Sequence, residues 1–122
     1  MPKKNTVGGR ATVTTTSLGV LRTQKGSTLY RGAVKKTGVT DDQGVAGKQH
    51  EPTVPYIECT ITEKAGVDVE AIDAIDDEDI SFETDAGSHF ILKEAWNTGE
   101  STLVAGEIKT KFEGVRCLKV SA

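Results

Sequence analysis

Apolar and polar residues alternate with a period of two along most of the chain, and only once does the spacing lengthen to that of a helix. The clearest alternation is Tyr56-Ile57-Glu58-Cys59-Thr60-Ile61-Thr62-Glu63. Ile57, Cys59 and Ile61 share one face and Tyr56, Glu58, Thr60 and Thr62 the other, which predicts a half-buried strand. Residues 10–22 and 27–34 are rich in Thr and Val, β-branched residues that suit a pleated surface, and Lys25-Gly26 between them is a turn signal. The two stretches predict a hairpin. Strands are also predicted at Ile80–Thr84 and His89–Asn97, joined by the turn residues Asp85-Ala86-Gly87-Ser88. A last hairpin follows from Thr102–Val104 and Glu107–Glu113, where Ile108 and Phe112 oppose Glu107, Lys109, Lys111 and Glu113. Arg116–Val120 adds a short edge. Trp96 falls on the strand face of Phe90 and Leu92, a core or interface position.

The helical spacing is Val67–Asp76, where Val69, Ile72 and Ile75 recur on one side and Asp68 stands at the N-cap. Residues 35–53 show neither period. Glycines interrupt a polar stretch that Pro52 and Pro55 close, so the expectation is a long irregular loop, uncommon in a compact domain and usually functional. Seven or eight strands and one short helix predict a mainly β chain, an antiparallel β-sandwich or partly closed barrel. A flexible arm over residues 1–9 precedes a single domain over 10–122.

Composition sharpens this picture in two ways. With 36% apolar and 5% aromatic residues in 122, the chain is expected to finish its core by burying surface against copies of itself. The net charge of −3 hides a segregation. Met1–Lys36 carries eight Lys and Arg and no acid, whereas Glu63–Asp85 carries ten acids and one base, Lys64. On opposite faces these segments would draw copies together head to tail; side by side they would only neutralise each other. The basic segment has no interleaved aromatics besides Tyr30, which argues against nucleic-acid binding through it.

Candidate chemistry changes little. Asp73, Asp76, Asp77, Glu78 and Asp79 lack the ligand spacing and glycine of an EF-hand loop and read as a solvated helix end. Two acids at a helix C-terminus oppose the dipole, which hints at a non-local reason for them. Histidines 50 and 89 and cysteines 59 and 117 are too scattered for a zinc site; both thiols are expected buried in a reducing cytoplasm. No Gly-x-Ser-x-Gly elbow or phosphate-binding glycine motif precedes a helix. No apolar run reaches the roughly 18 residues of a membrane span, and Met1–Asn5 leads into no signal sequence. The reading assigns no catalytic residue, no metal and no cofactor.

Five stretches carry a resemblance together: Ile80-Ser81-Phe82-Glu83-Thr84-Asp85-Ala86-Gly87, the returning run Phe90-Ile91-Leu92-Lys93-Glu94-Ala95-Trp96, Val54-Pro55-Tyr56-Ile57-Glu58-Cys59-Thr60-Ile61, the glycine segment Gly44-Val45-Ala46-Gly47, and Gly106-Glu107-Ile108 through Phe112-Glu113-Gly114. In order and spacing they resemble the tail tube family of Mu-like phages and prophages. The resemblance spans roughly residues 8–115 and leaves Val115–Ala122 unmatched. It implies a non-enzymatic virion protein, made in the host bacterial cytoplasm, whose copies close into hexameric rings that stack into a tube conducting double-stranded DNA. The implied partners are further copies, the tape-measure protein, the terminator and initiator of the tail, and a sheath. The implied ring-stacking segment is Lys35–Thr53, with Lys36, Gly38, Asp41, Asp42, Gly44, Gly47, Lys48 and His50; the implied arm carries Lys3, Lys4 and Arg10. Glu58, Glu83, Glu107 and Glu113, on polar strand faces, are the lumen candidates, with Lys109 and Lys111 beside them as a counter-indication. The alternatives are the tube of a phage-derived secretion or bacteriocin-like apparatus, and a small ligand-binding β-sandwich with Trp96 and Tyr56 as its platform.

Overall fold

A computed structural model describes residues 9–121. Eleven strands and one helix follow in the order β1 (Ala11–Thr15), β2 (Gly19–Leu21), β3 (Thr28–Tyr30), β4 (Val34–Asp41), β5 (Gly44–Pro52), β6 (Tyr56–Thr62), α1 (Val69–Asp73), β7 (Glu78–Thr84), β8 (His89–Asn97), β9 (Thr102–Val104), β10 (Glu107–Glu113) and β11 (Arg116–Ser121). Nine strands form one antiparallel sheet in the order β2-β1-β7-β8-β10-β6-β3, with β11 added to β8 and β9 to β10. Its two ends, β2 and β3, do not pair, so the barrel stays open. Only a Thr23–Ile61 bridge draws the β2–β3 connection onto β6.

The sheet folds over on itself at β8. Residues 89–93 pair with β11, and residues 89–92 with Ala95 pair with β7, whereas Trp96 and Asn97 pair with β10. Between them lies a bulge at which Glu94 takes φ 52°, a left-handed conformation that non-glycine residues seldom adopt. The extra residue shifts the alternation by one, so Leu92 and Ala95 both point inward and are fully buried. Trp96 therefore leaves the Phe90 and Leu92 face on which its spacing had put it. Cross-strand pairing sets it instead beside Glu113.

One core results. Val13, Ile80, Phe82 and Leu92 from one layer meet Ile57, Cys59, Ile61, Ile108 and Phe112 from the other. The β6 alternation holds as read: Ile57, Cys59 and Ile61 are buried and Glu58 is exposed. The helix is shorter than its apolar spacing suggests. Asp68 caps it by accepting from the Glu70 amide at 3.0 Å, and the helix stops at Asp73. Ile75 still reaches the core at 3% exposure, held by Asn97 N donating to its carbonyl at 2.9 Å. Asp77, at φ 56°, then turns the chain into β7.

The first hairpin also differs. It forms within residues 11–21, between β1 and β2, and β3 joins β6 in the other layer. The Thr15 hydroxyl explains the early turn: it accepts from Leu18 N at 3.0 Å and donates to Gly19 O at 3.3 Å. Gly19, at φ 72°, completes the reversal.

Candidate functional site

The expected loop over 35–53 is a two-stranded hairpin. β4 and β5 pair from Val34↔Pro52 to Asp41↔Gly44, with a bulge between Val39 and Thr40. The pair belongs to no other sheet. All nine residues of β5 are exposed, as are seven of the eight in β4, Val39 excepted. Asp41 Oδ1 accepts from Gln43 N at 2.9 Å to form the tip, where Gly44 adopts φ 117°. Residues opposite each other share a face, which places Lys36 beside His50 and Lys35 beside Glu51. Lys48, two residues before His50, shares the Lys36 face.

The base of this hairpin is clamped by one side chain. Thr53 Oγ1 donates to Ala33 O at 2.8 Å and accepts from Ala33 N at 3.0 Å. With its only proton so used, it accepts from Tyr30 OH at 2.8 Å. Tyr30 in turn packs against Tyr56, ring centroids 5.2 Å apart. The hairpin is thus tied to the β3–β6 margin of the sheet, a role for Thr53 and Tyr30 that no sequence pattern announced.

In the nine-stranded sheet, β2, β3, β9 and β11 pair on one side only. Unpaired margins carry free backbone donors and acceptors. Apolar side chains accompany them: Val20 is 67% exposed on β2 and Leu103 53% on β9, and Leu118 and Val120 are exposed on β11.

The lumen candidates divide between the layers. Glu58, Glu107 and Glu113 lie on the outer face of the β10–β6 layer, together with Lys109 and Lys111. Glu83 lies on the outer face of the other layer, opposite Thr12 and His89. One face of a subunit therefore does not hold all four. Lys111 Nζ sits 4.3 Å from the Tyr56 ring centroid, and a cross-strand row runs Trp96, Glu113, Tyr56, Tyr30. Tyr56 is thereby covered on two sides and Trp96 is half-buried, which removes the open aromatic platform that ligand stacking needs.

Of the arm residues, Lys3 and Lys4 lie outside the described residues. Arg10 does not belong to a free arm. Asp85 Oδ1 accepts from Gly9 N at 3.1 Å and from Arg10 N at 3.5 Å, which ties this stretch to the β7–β8 turn.

Other chemistry is structural. Ser81 Oγ and His89 Nε2 are 2.8 Å apart on the outer face of β7 and β8, a cross-strand bond on an open sheet surface. Among the described residues no group of three His, Cys, Asp or Glu converges, and no helix is long and apolar enough to cross a membrane. Cys59 and Cys117 are free thiols. Burial pushes Cys59 up to about 12, so it stays a protonated core residue. Cys117 is only half-buried, because it lies on an edge strand.

A family model described as phage tail tube protein matches residues 4–119, which includes most of the stretch beyond Val115. The chain belongs to this tail tube family. It is 36% identical over 94 residues to the Mu-like prophage FluMu tail tube protein of Haemophilus influenzae, an alignment covering 76% of this chain and 79% of that protein. Two solved assemblies share the fold. The tube-terminating cap of the anti-feeding prophage superposes with a TM-score of 0.69 at 16% identity, over 100% of this chain and 95% of that one. A chain of the extended sheath–tube complex of an extracellular contractile injection system gives 0.66 at 14% identity, covering 93% and 89%. The tail tube fold thus accounts for the open sheet and its single short helix.

Proposed function

We propose that this chain is the structural subunit of a phage or prophage tail tube and catalyses nothing. Copies join through their open sheet margins into rings of six, and the rings stack into a conduit through which double-stranded DNA leaves the virion. The observation that carries this reading is the β4–β5 hairpin, exposed on both faces in a chain of the tail tube family. A hairpin that buries nothing within its own subunit has its partner elsewhere, and stacking offers it the adjoining ring. Stacking is a heterologous contact that propagates without closing, as a tube requires. Tape-measure protein inside, sheath outside, and initiator and terminator at the ends are the partners this role calls for. The mature location is the virion tail.

The outer face of β10 and β6 is the lumen wall in this proposal, with Glu58, Glu107 and Glu113 as its acids. Glu83 is left out because it occupies the other layer. The tube of a phage-derived injection apparatus is the alternative role, since chains of such assemblies share the fold.

The test is electron microscopy of concentrated purified protein, with and without a tail initiator. Wild type gives rings and tubes. Excision of residues 36–50 leaves the fold and the rings but abolishes tubes. A chain that remains monomeric under all conditions refutes the reading, and full-length tubes from the excised variant refute the hairpin's role.

A further inference from the structure

Arg10 and the acids of α1 lie at opposite ends of β7, although the acidic segment itself runs on to Glu83 and Asp85 at the Arg10 end. β1 runs against β7 so that Ala11 faces Thr84 and Thr15 faces Ile80. Arg10 therefore stands at the end of β7, and α1 with its acids stands at the start. The separation is seven residues of strand, about 20 Å at roughly 3.3 Å per residue. In the other layer Tyr30 faces Tyr56, which carries Arg31 and the base of the hairpin to the same end as Arg10.

At that end the sandwich gapes. Arg10, Lys25 and Arg31 rim a cleft of about 630 Å³ whose floor includes Leu29, Phe82 and Phe90. Arg31 lies 5.1 Å from the centroid of the Phe90 ring. Lys36 and Lys48 extend the positive charge onto the hairpin, where Lys35 is offset by Glu51 beside it. Asp85, already engaged by two backbone amides, and Glu83, opposite Thr12, are the β7 acids at this end. At the far end Asp68, Glu70, Asp73, Asp76 and Asp77 are all exposed, with Lys64 and Arg22 as the bases nearby. Among the described residues the one side-chain ion pair is Lys93–Asp79, so neither Arg10, Lys25 and Arg31 nor the α1 acids are held in a contact ion pair within the subunit.

We propose that the basic cleft receives the acidic α1 end of a second copy in the adjoining ring, so that opposite charge sets the polarity of stacking. This rests on the tube reading above and adds to it which ends meet. Complementary charge speeds and orients association more than it deepens it, which suits a polymer that must add every ring the same way up. It also supplies the non-local reason for acids at the unfavourable end of a helix.

The test uses two charge-reversed full-length proteins: Arg10→Glu with Lys25→Glu, and Asp73→Lys with Asp76→Lys. Circular dichroism checks that each folds, and electron microscopy counts rings and tubes. Each alone is expected to form rings and to lose tubes by tenfold or more. Mixed in equal amounts they are expected to form tubes again, since each reversed end then meets its opposite. As a measurement free of any variant, wild-type elongation should slow several-fold between low and physiological salt, where the screening length is about 8 Å. Tubes of wild-type length from either variant alone, no recovery on mixing, salt-independent elongation, or loss of rings along with tubes would each overturn the proposal while leaving the tube reading in place. A wild-type chain that makes neither rings nor tubes overturns both.

Discussion

The Thr53 hydroxyl closes the base of the β4–β5 hairpin on both backbone groups of Ala33, donating to its carbonyl at 2.8 Å and accepting from its amide at 3.0 Å. Thr53→Val keeps the shape and removes these bonds together with the one from Tyr30 OH. A net hydrogen bond is worth about 1 kcal/mol. Amide exchange in residues 34–52 should therefore rise roughly tenfold, the equivalent of about 1.4 kcal/mol, while core amides in β6 and β7 stay protected. Hydrogen exchange read by mass spectrometry checks this, and an unchanged hairpin would remove Thr53 from its anchoring role.

Asp79 straps the bulge over which the sheet folds. Its Oδ2 accepts from Lys93 Nζ at 2.7 Å and its Oδ1 from Glu94 N at 3.2 Å. The Lys93 hydrogen bond and then the Glu94 amide hold this carboxyl below its ordinary value of 3.8. A depressed carboxylate contributes stability that is complete above the unfolded value and fades as pH falls through the folded one. Asp79→Asn should then cost roughly 1 kcal/mol at neutral pH, the group being largely exposed, and the gap to wild type should begin to narrow below about pH 4 and go on narrowing as pH falls through the folded value. Denaturant titrations at neutral pH and at pH 3 measure both arms.

How much of this was legible depends on where each segment finds its partner. Ile57, Cys59 and Ile61 announce β6 because the same chain buries them. The β4–β5 hairpin has no buried face, so its alternation carries no apolar signal, and glycines 38, 44 and 47 make it look irregular. The Glu94 bulge is invisible for another reason: nothing in Lys93-Glu94-Ala95 demands a left-handed residue, and only Asp79, 15 positions away, fixes it. That one residue turns Trp96 to the outer face. The charge segregation was plain in the sequence, but its two ends became distinguishable only through the antiparallel pairing of β1 with β7. The lumen candidates were chosen by strand polarity alone, which cannot tell one outer face of a sandwich from the other.

Gly114 marks where β10 passes β8. A Cβ there would stand 2.6 Å from Leu92 Cγ and 2.9 Å from Lys93 O, inside contact distance of a fully buried side chain and of backbone. Gly114→Ala should destabilise the fold by about 1–3 kcal/mol through overpacking. Gly38→Ala is the control, since nothing lies within 4 Å of that position. Thermal melts that shift equally for the two would contradict the packing described at the bend.

Charge on the lumen wall is the last expectation to test. Glu58, Glu107 and Glu113 are offset by Lys109 and Lys111 on the same outer face, leaving it only mildly acidic. Converting Glu58 and Glu113 to Lys would make the face strongly basic. Phosphates sliding past would then exchange their counterions for lysines, and the contact would strengthen steeply at low salt. Assembly should survive, because side chains on the outer strand face hold neither the core nor a sheet margin. Genome ejection should slow by an order of magnitude or more at low ionic strength and recover toward wild type as salt is raised. Glu83→Lys, on the opposite layer, should leave ejection unchanged. Equal slowing by Glu83→Lys would move the lumen to the other layer, and normal ejection from the double variant would take it off both.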